Sequence, residues 1–352
     1  MSATRISIRV ADPAKPRVLI TGSAGFIGYH LAQALLAEGL TVHGYDGLTD
    51  YYDVALKQRR HALLLQHPGF ACTIGLLEDQ ARFDACANAF APDIIVHLAA
   101  QAGVRYSLEA PGAYLQANVV GTLSVLEAAK RLGVRHLLIA STSSVYGANT
   151  DMPFAETDQT DLPLTIYAAT KKATEGMGHV YAHLWGLPVT CFRFFTVYGP
   201  WGRPDMALFK FVAAILDGKP IDIYNHGQMA RDFTYVGDLV RAIRLLIDVV
   251  PPLPAARSQE VIEGDSLSPV APYRVVNIGN SAPVPLLDFV DAIETCLDQK
   301  AIRNFMAMQP GDVPATWADA GLLQRLTGYA PQTDVADGIA RFVDWYRGYY
   351  GV

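Results

Sequence analysis

Tyr167-Ala168-Ala169-Thr170-Lys171 sets a phenol and an ammonium four residues apart. On a helix such side chains lie one turn apart on one face. A neighbouring ammonium favours the phenolate, so a tyrosine pKa near 10 can fall toward neutrality. Tyr167 would then accept a proton from a hydroxyl group at physiological pH. The same spacing also arises on solvated helix faces, so its meaning depends on the elements around it.

Those elements read as alternating strands and helices. Arg17-Val18-Leu19-Ile20-Thr21 has the composition of a buried parallel strand, and Tyr29 to Glu38 that of an amphipathic helix. Between them runs Gly22-Ser23-Ala24-Gly25-Phe26-Ile27-Gly28, a tight turn that lets backbone N–H groups approach a pyrophosphate. The next strand, Thr41 to Tyr45, ends at Asp46, where a carboxylate accepts from ribose hydroxyls and repels a 2′-phosphate. Gly47 and Leu48 supply no arginine for that phosphate, so NAD is favoured over NADP. Asp50 to His67, with Lys57, Arg59 and Arg60, reads as a solvated helix and not a binding patch.

Asp93 to Ala100 is a further buried strand; the small residues ending Leu98-Ala99-Ala100 let a cofactor lie close. His97 in that apolar run reads as a satisfied core histidine. Gln101 to Ser107 is a loop at the strand's carboxyl end, where doubly wound sheets place ligands. Arg105 there either meets a substrate anion or forms a surface salt bridge. Tyr114 to Leu132 reads as one long helix whose Asn118 needs a structural carbonyl or cofactor-side partner. His136 to Ala140 is another strand, ending in the hydroxyl-rich Ser141-Thr142-Ser143-Ser144.

Composition bounds the class. The 352 residues suffice for one large α/β domain with a smaller companion, and 18% charged residues fit a globular chain. The net charge of −6 has no basic block, which argues against nucleic acid or an anionic membrane as partner. Cys72, Cys86, Cys191 and Cys296 show no metal or redox spacing. No apolar run reaches membrane-spanning length and Met1 to Lys15 lacks a signal-peptide core, so a soluble cytoplasmic protein without metal is expected.

Glycine turn, Asp46, hydroxyl rim and Tyr167/Lys171 occur in the order of the extended short-chain dehydrogenase/reductases. Within them the chain resembles nucleotide-sugar 4-epimerases, and most closely bacterial UDP-glucuronate 4-epimerases. The resemblance is carried by Ala99 to Ser107, Tyr167 to Lys172 and Phe192 to Ala207. It implies a doubly wound Rossmann-type domain over 16–195, with a later contribution from about 233–280. It implies a UDP-sugar-binding domain over 196–232 and 281–352, a 1–15 tail, and a homodimer through the Tyr114–Leu132 and Tyr167–Leu184 helices. Its product would serve polysaccharide or secondary-metabolite synthesis.

By the same resemblance, Tyr167, assisted by Lys171 and the nicotinamide charge, takes the proton from the sugar 4-hydroxyl. Thr142 hydrogen-bonds that oxygen, hydride passes from C4 to bound NAD, and it returns to the opposite face of a 4-keto sugar. Related 4,6-dehydratases need an Asp-Glu pair after the threonine, and UDP-glucuronate decarboxylases resemble Thr-Ser-Glu there. Thr142-Ser143-Ser144 offers no carboxylate for elimination and does not repel a uronate. Thr142, Ser143, Ser144 and Thr196 are expected to hold the sugar carboxylate, with Arg203 nearby. UDP-glucose or UDP-N-acetylglucosamine 4-epimerisation is the neutral-sugar alternative.

On the substrate side, Ala207 to Phe211 begins an apolar helix expected to border uracil, and Ile221 to Tyr224 is a short strand before a turn at Gly227. Arg231, in Arg231-Asp232-Phe233-Thr234-Tyr235-Val236, matches a diphosphate-binding arginine; guanidinium suits phosphate as a permanent two-pronged donor. Pro251 to Pro272 reads as an exposed loop, and Arg274 to Gly279 as a strand. Gln309 stands where relatives often have a second phosphate-binding arginine, whereas Asp312 matches a position facing the uridine ribose. Leu76 replaces an adenine-contacting aspartate, for which Asp79 is the nearby substitute.

Overall fold

A computed structural model describes residues 6, 8, 15–257, 262–309 and 311–352. The chain begins β1 (Arg17–Thr21), α1 (Phe26–Ala37), β2 (Thr41–Asp46), α2 (Val54–Leu65), β3 (Phe70–Ile74), α3 (Gln80–Phe90) and β4 (Ile94–His97). It continues through β5 (His136–Thr142) and β6 (Val189–Phe194). Past β7 (Thr196–Tyr198), β8 (Pro220–Ile223) and β9 (Ala230–Tyr235), it returns at β10 (Tyr273–Ile278).

Seven strands make one sheet in the order β10-β6-β5-β4-β1-β2-β3, every pairing parallel. The order reverses between β1 and β4, and crevices for ligands open at the carboxyl ends of strands flanking such a switch. Period-two alternation decides the two faces. Val18 and Ile20 pack with α1 and the helix Val236–Asp248. Leu19 packs oppositely, with α3 and the helices Gly121–Leu132 and Ile166–Trp185. Each of these three side chains is fully buried and contributes roughly 2 kcal/mol of transfer free energy.

A third apolar cluster joins the helices Ala207–Leu216, Leu286–Leu297 and Val335–Tyr350. Around it lie two small sheets. β9 pairs with β7, β11 (Pro283–Pro285) and β13 (Ala315–Thr316), and β8 pairs with β12 (Ile302–Phe305).

Three expectations need correction. Tyr114–Leu132 is not one regular helix, for a π-helical stretch, Leu115–Val120, precedes the α-helix Gly121–Leu132. The wider turn carries Asn118, whose amide donates to the Gln101 carbonyl and accepts from the Gln101 N–H. α2 is not solvated throughout, because Lys57 and Arg60 are buried. The loop after Pro251 is anchored, not simply exposed, in its described parts. Arg257 donates to the Ala271 carbonyl and Arg274 pairs with Asp265 at 2.8 Å. Residues 258–261 of that loop lie outside the described residues.

Candidate active site

A cavity of about 510 Å3 follows the carboxyl ends of the parallel strands and extends to the turn 311–313. Gly22, Gly25, Phe26, Ile27 and Gly28 line one end. Gly22 has φ +76°, and a Cβ there would stand 2.8 Å from the Ala99 nitrogen; one on Gly28 would stand 2.1 Å from the Gly22 carbonyl oxygen. The turn therefore packs backbone against backbone. No side chain caps the N-terminus of α1 at Gly25, so its first N–H groups suit an anion such as a pyrophosphate.

Asp46 lines the same end. It accepts from Ala24 N at 2.9 Å and Leu48 N at 2.8 Å, which ties the glycine turn to β2. A carboxylate has about four acceptor sites, so capacity remains for ribose hydroxyls. Leu76 and Glu78 line the neighbouring wall. Asp79 does not; it caps α3 by accepting from Arg82 N. Leu98, Ala99, Ala100 and Gln101 form the floor. Asn118 lies beneath them and reaches the cavity only through the Gln101 backbone. His97 is a satisfied core residue, as its spacing suggested, bonded to Thr21 at 2.7 Å and Thr122 at 2.9 Å.

The helix Ile166–Trp185 carries Tyr167 and Lys171. Thr165 caps it by accepting from Ala168 N at 3.2 Å, which sets Tyr167 in the first turn. Tyr167 and Lys171 both line the cavity, and the Tyr114 ring meets that of Tyr167 edge-on at 6.0 Å. Burial raises the phenol above its ordinary value; the Thr142 hydroxyl and the Arg203 charge oppose this without overcoming it. The expected lowering of the Tyr167 pKa is thus not produced by the protein alone, because desolvation of a phenolate outweighs these neighbours. Burial also brings Lys171 down to about 8, against the pull of Cys191 and Glu175, so it carries its charge below that pH.

Ser141, Thr142, Ser143 and Ser144 line the wall at the end of β5. Thr142 donates to Ser144 Oγ at 3.2 Å and Ser141 donates to Glu175 at 2.6 Å. Thr196 and Arg203 complete this region. Arg203 donates from Nε to Asp205 at 3.0 Å, bonds it again through a terminal nitrogen, and lies 5.6 Å from the Tyr51 ring centre. Among the described lining residues the acids are Asp46, Glu78 and Asp312, so no carboxylate faces the cavity at the hydroxyl rim.

At the far end Arg231 donates to the carbonyls of Ala230, Val313 and Pro314. Burial lowers its pKa, with Asp312 opposing. Asp312 lines the cavity and pairs with Arg105 at 2.9 Å. Arg105 is outside the lining: its guanidinium is exposed and stacks 4.4 Å from the Tyr224 ring centre. Gln309 does not line the cavity either.

Two groups escaped the sequence reading. Glu175 extends the Tyr167–Lys171 spacing by four more residues and binds Arg193 through two bonds of 2.9 Å; the repeated interval was a usable signal. Arg60 gave none, since its polar surroundings in sequence conceal its burial.

The NAD dependent epimerase/dehydratase family matches residues 18–255. A probable UDP-glucuronate 4-epimerase of Rhizobium meliloti (strain 1021) is 55% identical over 95% of this chain and 98% of its own. UDP-glucuronate 4-epimerase 2 of Arabidopsis thaliana is 44% identical over 98% of this chain and 79% of its own. Among solved structures, UDP-glucuronic acid 4-epimerase from Bacillus cereus, in complex with UDP-glucuronic acid and NAD, superimposes with a TM-score of 0.82. It is 31% identical and covers 95% of this chain and 100% of that one. With a seven-stranded parallel sheet, a glycine turn at its switch point and a tyrosine–lysine pair facing the cavity, the chain belongs to the NAD dependent epimerase/dehydratase family.

Proposed function

We propose that the chain interconverts UDP-glucuronate and UDP-galacturonate through a 4-keto sugar. The observation that carries this reading is the hydroxyl rim Thr142–Ser144 beside Tyr167, with no carboxylate among the described residues lining the sugar end of the cavity. Elimination at C5 and C6 calls for an acid–base pair there, whereas a negatively charged substrate is best met by hydroxyls and a cation. Identity of 55% to a probable UDP-glucuronate 4-epimerase supports the same choice.

The glycine turn, the N-terminus of α1 and Asp46 would hold NAD, with Leu98–Gln101 beneath it and Ser141, Tyr167 and Lys171 alongside. Bound there, this group supplies reversible hydride acceptance from the sugar's C4. Tyr167 takes the 4-hydroxyl proton as the keto sugar forms and gives it back on reduction. Thr142 donates a hydrogen bond to the same oxygen. Lys171, charged below about pH 8, favours the phenolate, and the added positive charge of the cofactor would offset the desolvation of Tyr167.

Arg231 would hold the diphosphate through Nε and its remaining terminal N–H, its other donors being bonded to carbonyls. Asp312 faces the uridine ribose, with Arg105 as its partner at the mouth. Ser143, Ser144, Thr196 and Arg203 would hold the uronate carboxylate, turning its C–C bond away from the alignment that loses carbon dioxide. The chain works as a homodimer in the cytoplasm, where its four free thiols stay reduced. Exposed Leu123 on Gly121–Leu132, and Val180 and Leu184 on Ile166–Trp185, supply the apolar dimer face.

The test is to incubate purified protein with UDP-glucuronate, without added NAD, and follow products by proton NMR. UDP-galacturonate is expected. A UDP-pentose would mean decarboxylation and sink the reading of the rim. No turnover even with NAD added would shift the assignment to UDP-glucose or UDP-N-acetylglucosamine.

A further inference from the structure

The turn Pro200-Trp201-Gly202 precedes Arg203, and three successive carbonyls of that turn accept hydrogen bonds from the nucleotide half of the chain. His30, on α1, bonds the Pro200 carbonyl through Nε2 at 2.8 Å. A carbonyl only accepts, so Nε2 carries the proton; burial lowers the His30 pKa to about 4, which leaves the ring neutral. Arg60, on α2, donates through one terminal nitrogen to the carbonyls of Trp201 at 2.6 Å and Gly202 at 3.4 Å. Its other terminal nitrogen donates to the Ala24 carbonyl at 3.0 Å, inside the glycine turn, and to the Tyr52 hydroxyl at 2.9 Å.

Arg60 is fully buried and has no carboxylate within 4 Å among the described residues. Its charge is met by carbonyl dipoles and a phenol. Keeping a guanidinium in such a place costs free energy, which asks for a return beyond ordinary packing. The turn itself is unfavourable: Trp201 has φ +60°, a conformation that costs a residue with a Cβ about 1 kcal/mol. Its ring is packed at 5.5 Å from Tyr29 and 5.2 Å from Trp345. The direction in which Arg203 leaves the turn is therefore set by contacts from α1, α2 and the helix Val335–Tyr350, not by local preference.

We infer that Arg60 is a positioning residue that clamps the Pro200–Gly202 turn to the glycine turn and so aims Arg203 into the sugar end of the cavity. The inference rests on the proposed role of Arg203 beside the sugar. Only a planar fork reaches Ala24 on one side and Trp201 on the other; the single nitrogen of a lysine keeps the charge but cannot span both.

The experiment is a double-mutant cycle in the NAD-loaded enzyme, with UDP-glucuronate as substrate. Arg60→Lys is expected to raise KM about tenfold with a smaller change in kcat, and to raise KM less than about twofold when Arg203→Met is already present. Equal effects in both backgrounds, or an unchanged KM in Arg60→Lys, would overturn the inference. Arg203→Met alone leaving KM unchanged would remove the role of Arg203 itself, a result visible before Arg60 is altered. His30→Asn, too short to reach Pro200, probes the same turn if Arg60→Lys does not fold. Its KM effect should likewise shrink in the Arg203→Met background, and an additive effect would count against the clamp.

Discussion

At the scale of single residues, burial pulls Tyr167 and Lys171 in opposite directions from their ordinary values, the phenol up and the ammonium down, against the charges around them. The raised phenol works against proton transfer until a further positive charge arrives, which is the electrostatic case for chemistry that waits on a bound cofactor. Tyr167→Phe should lower turnover by about 10²- to 10⁴-fold while bound NAD, read by absorbance after denaturation, stays at the wild-type level. Activity that survives would remove Tyr167 as the base. Glu156 offers a pH test away from the chemistry. Burial raises its pKa from 4.5 to about 7, against the Asn277 N–H that it accepts at 2.8 Å. Between those values the folded chain binds more protons than the unfolded one. This contribution is full below about 4.5 and is lost as pH rises through 7. Glu156→Gln should therefore flatten the fall in Tm across that window in calorimetry; an unaltered slope would assign it to other groups.

At the scale of elements, the position of Tyr167 depends on how its helix starts. Thr165 satisfies one first-turn N–H, and Gly186 ends the 20-residue helix with φ +73°. Thr165→Ala should cost about 1 kcal/mol of stability by denaturant titration and lower kcat more than the KM of the sugar, since it loosens the turn that bears the phenol. A loss in stability with kcat intact would separate the cap from the chemistry. The π-helical stretch at Leu115–Val120 works similarly for the floor: by turning Asn118 toward Gln101 it holds both backbone groups of a cavity residue.

At the scale of the molecule, two of the helices that cover one face of the sheet, Gly121–Leu132 and Ile166–Trp185, keep exposed aliphatic side chains on their outer surfaces. The proposed homodimer would bury these side chains. Val180→Asp combined with Leu184→Asp should convert a dimer to a monomer in light scattering. An unchanged mass would place the dimer contact elsewhere or show that none exists.

Local pattern determined much of this protein. Strand, glycine turn and helix were legible at Arg17–Ala37 because parallel strands are continuous apolar runs and a helix has a 3.6-residue period. The tyrosine–lysine spacing and the hydroxyl rim were legible because helical and strand-end geometry is short-range. What tertiary structure decided is where charge ends up. Arg60 reads as solvent-facing in a polar stretch, yet it is buried against carbonyls contributed from 36, 141 and 142 residues away. Arg105 and Asp312 are 207 residues apart and pair only because two loops meet at the cavity mouth. The raised phenol of Tyr167 is of the same kind, since desolvation is set by everything folded around a group and no spacing along the chain encodes it.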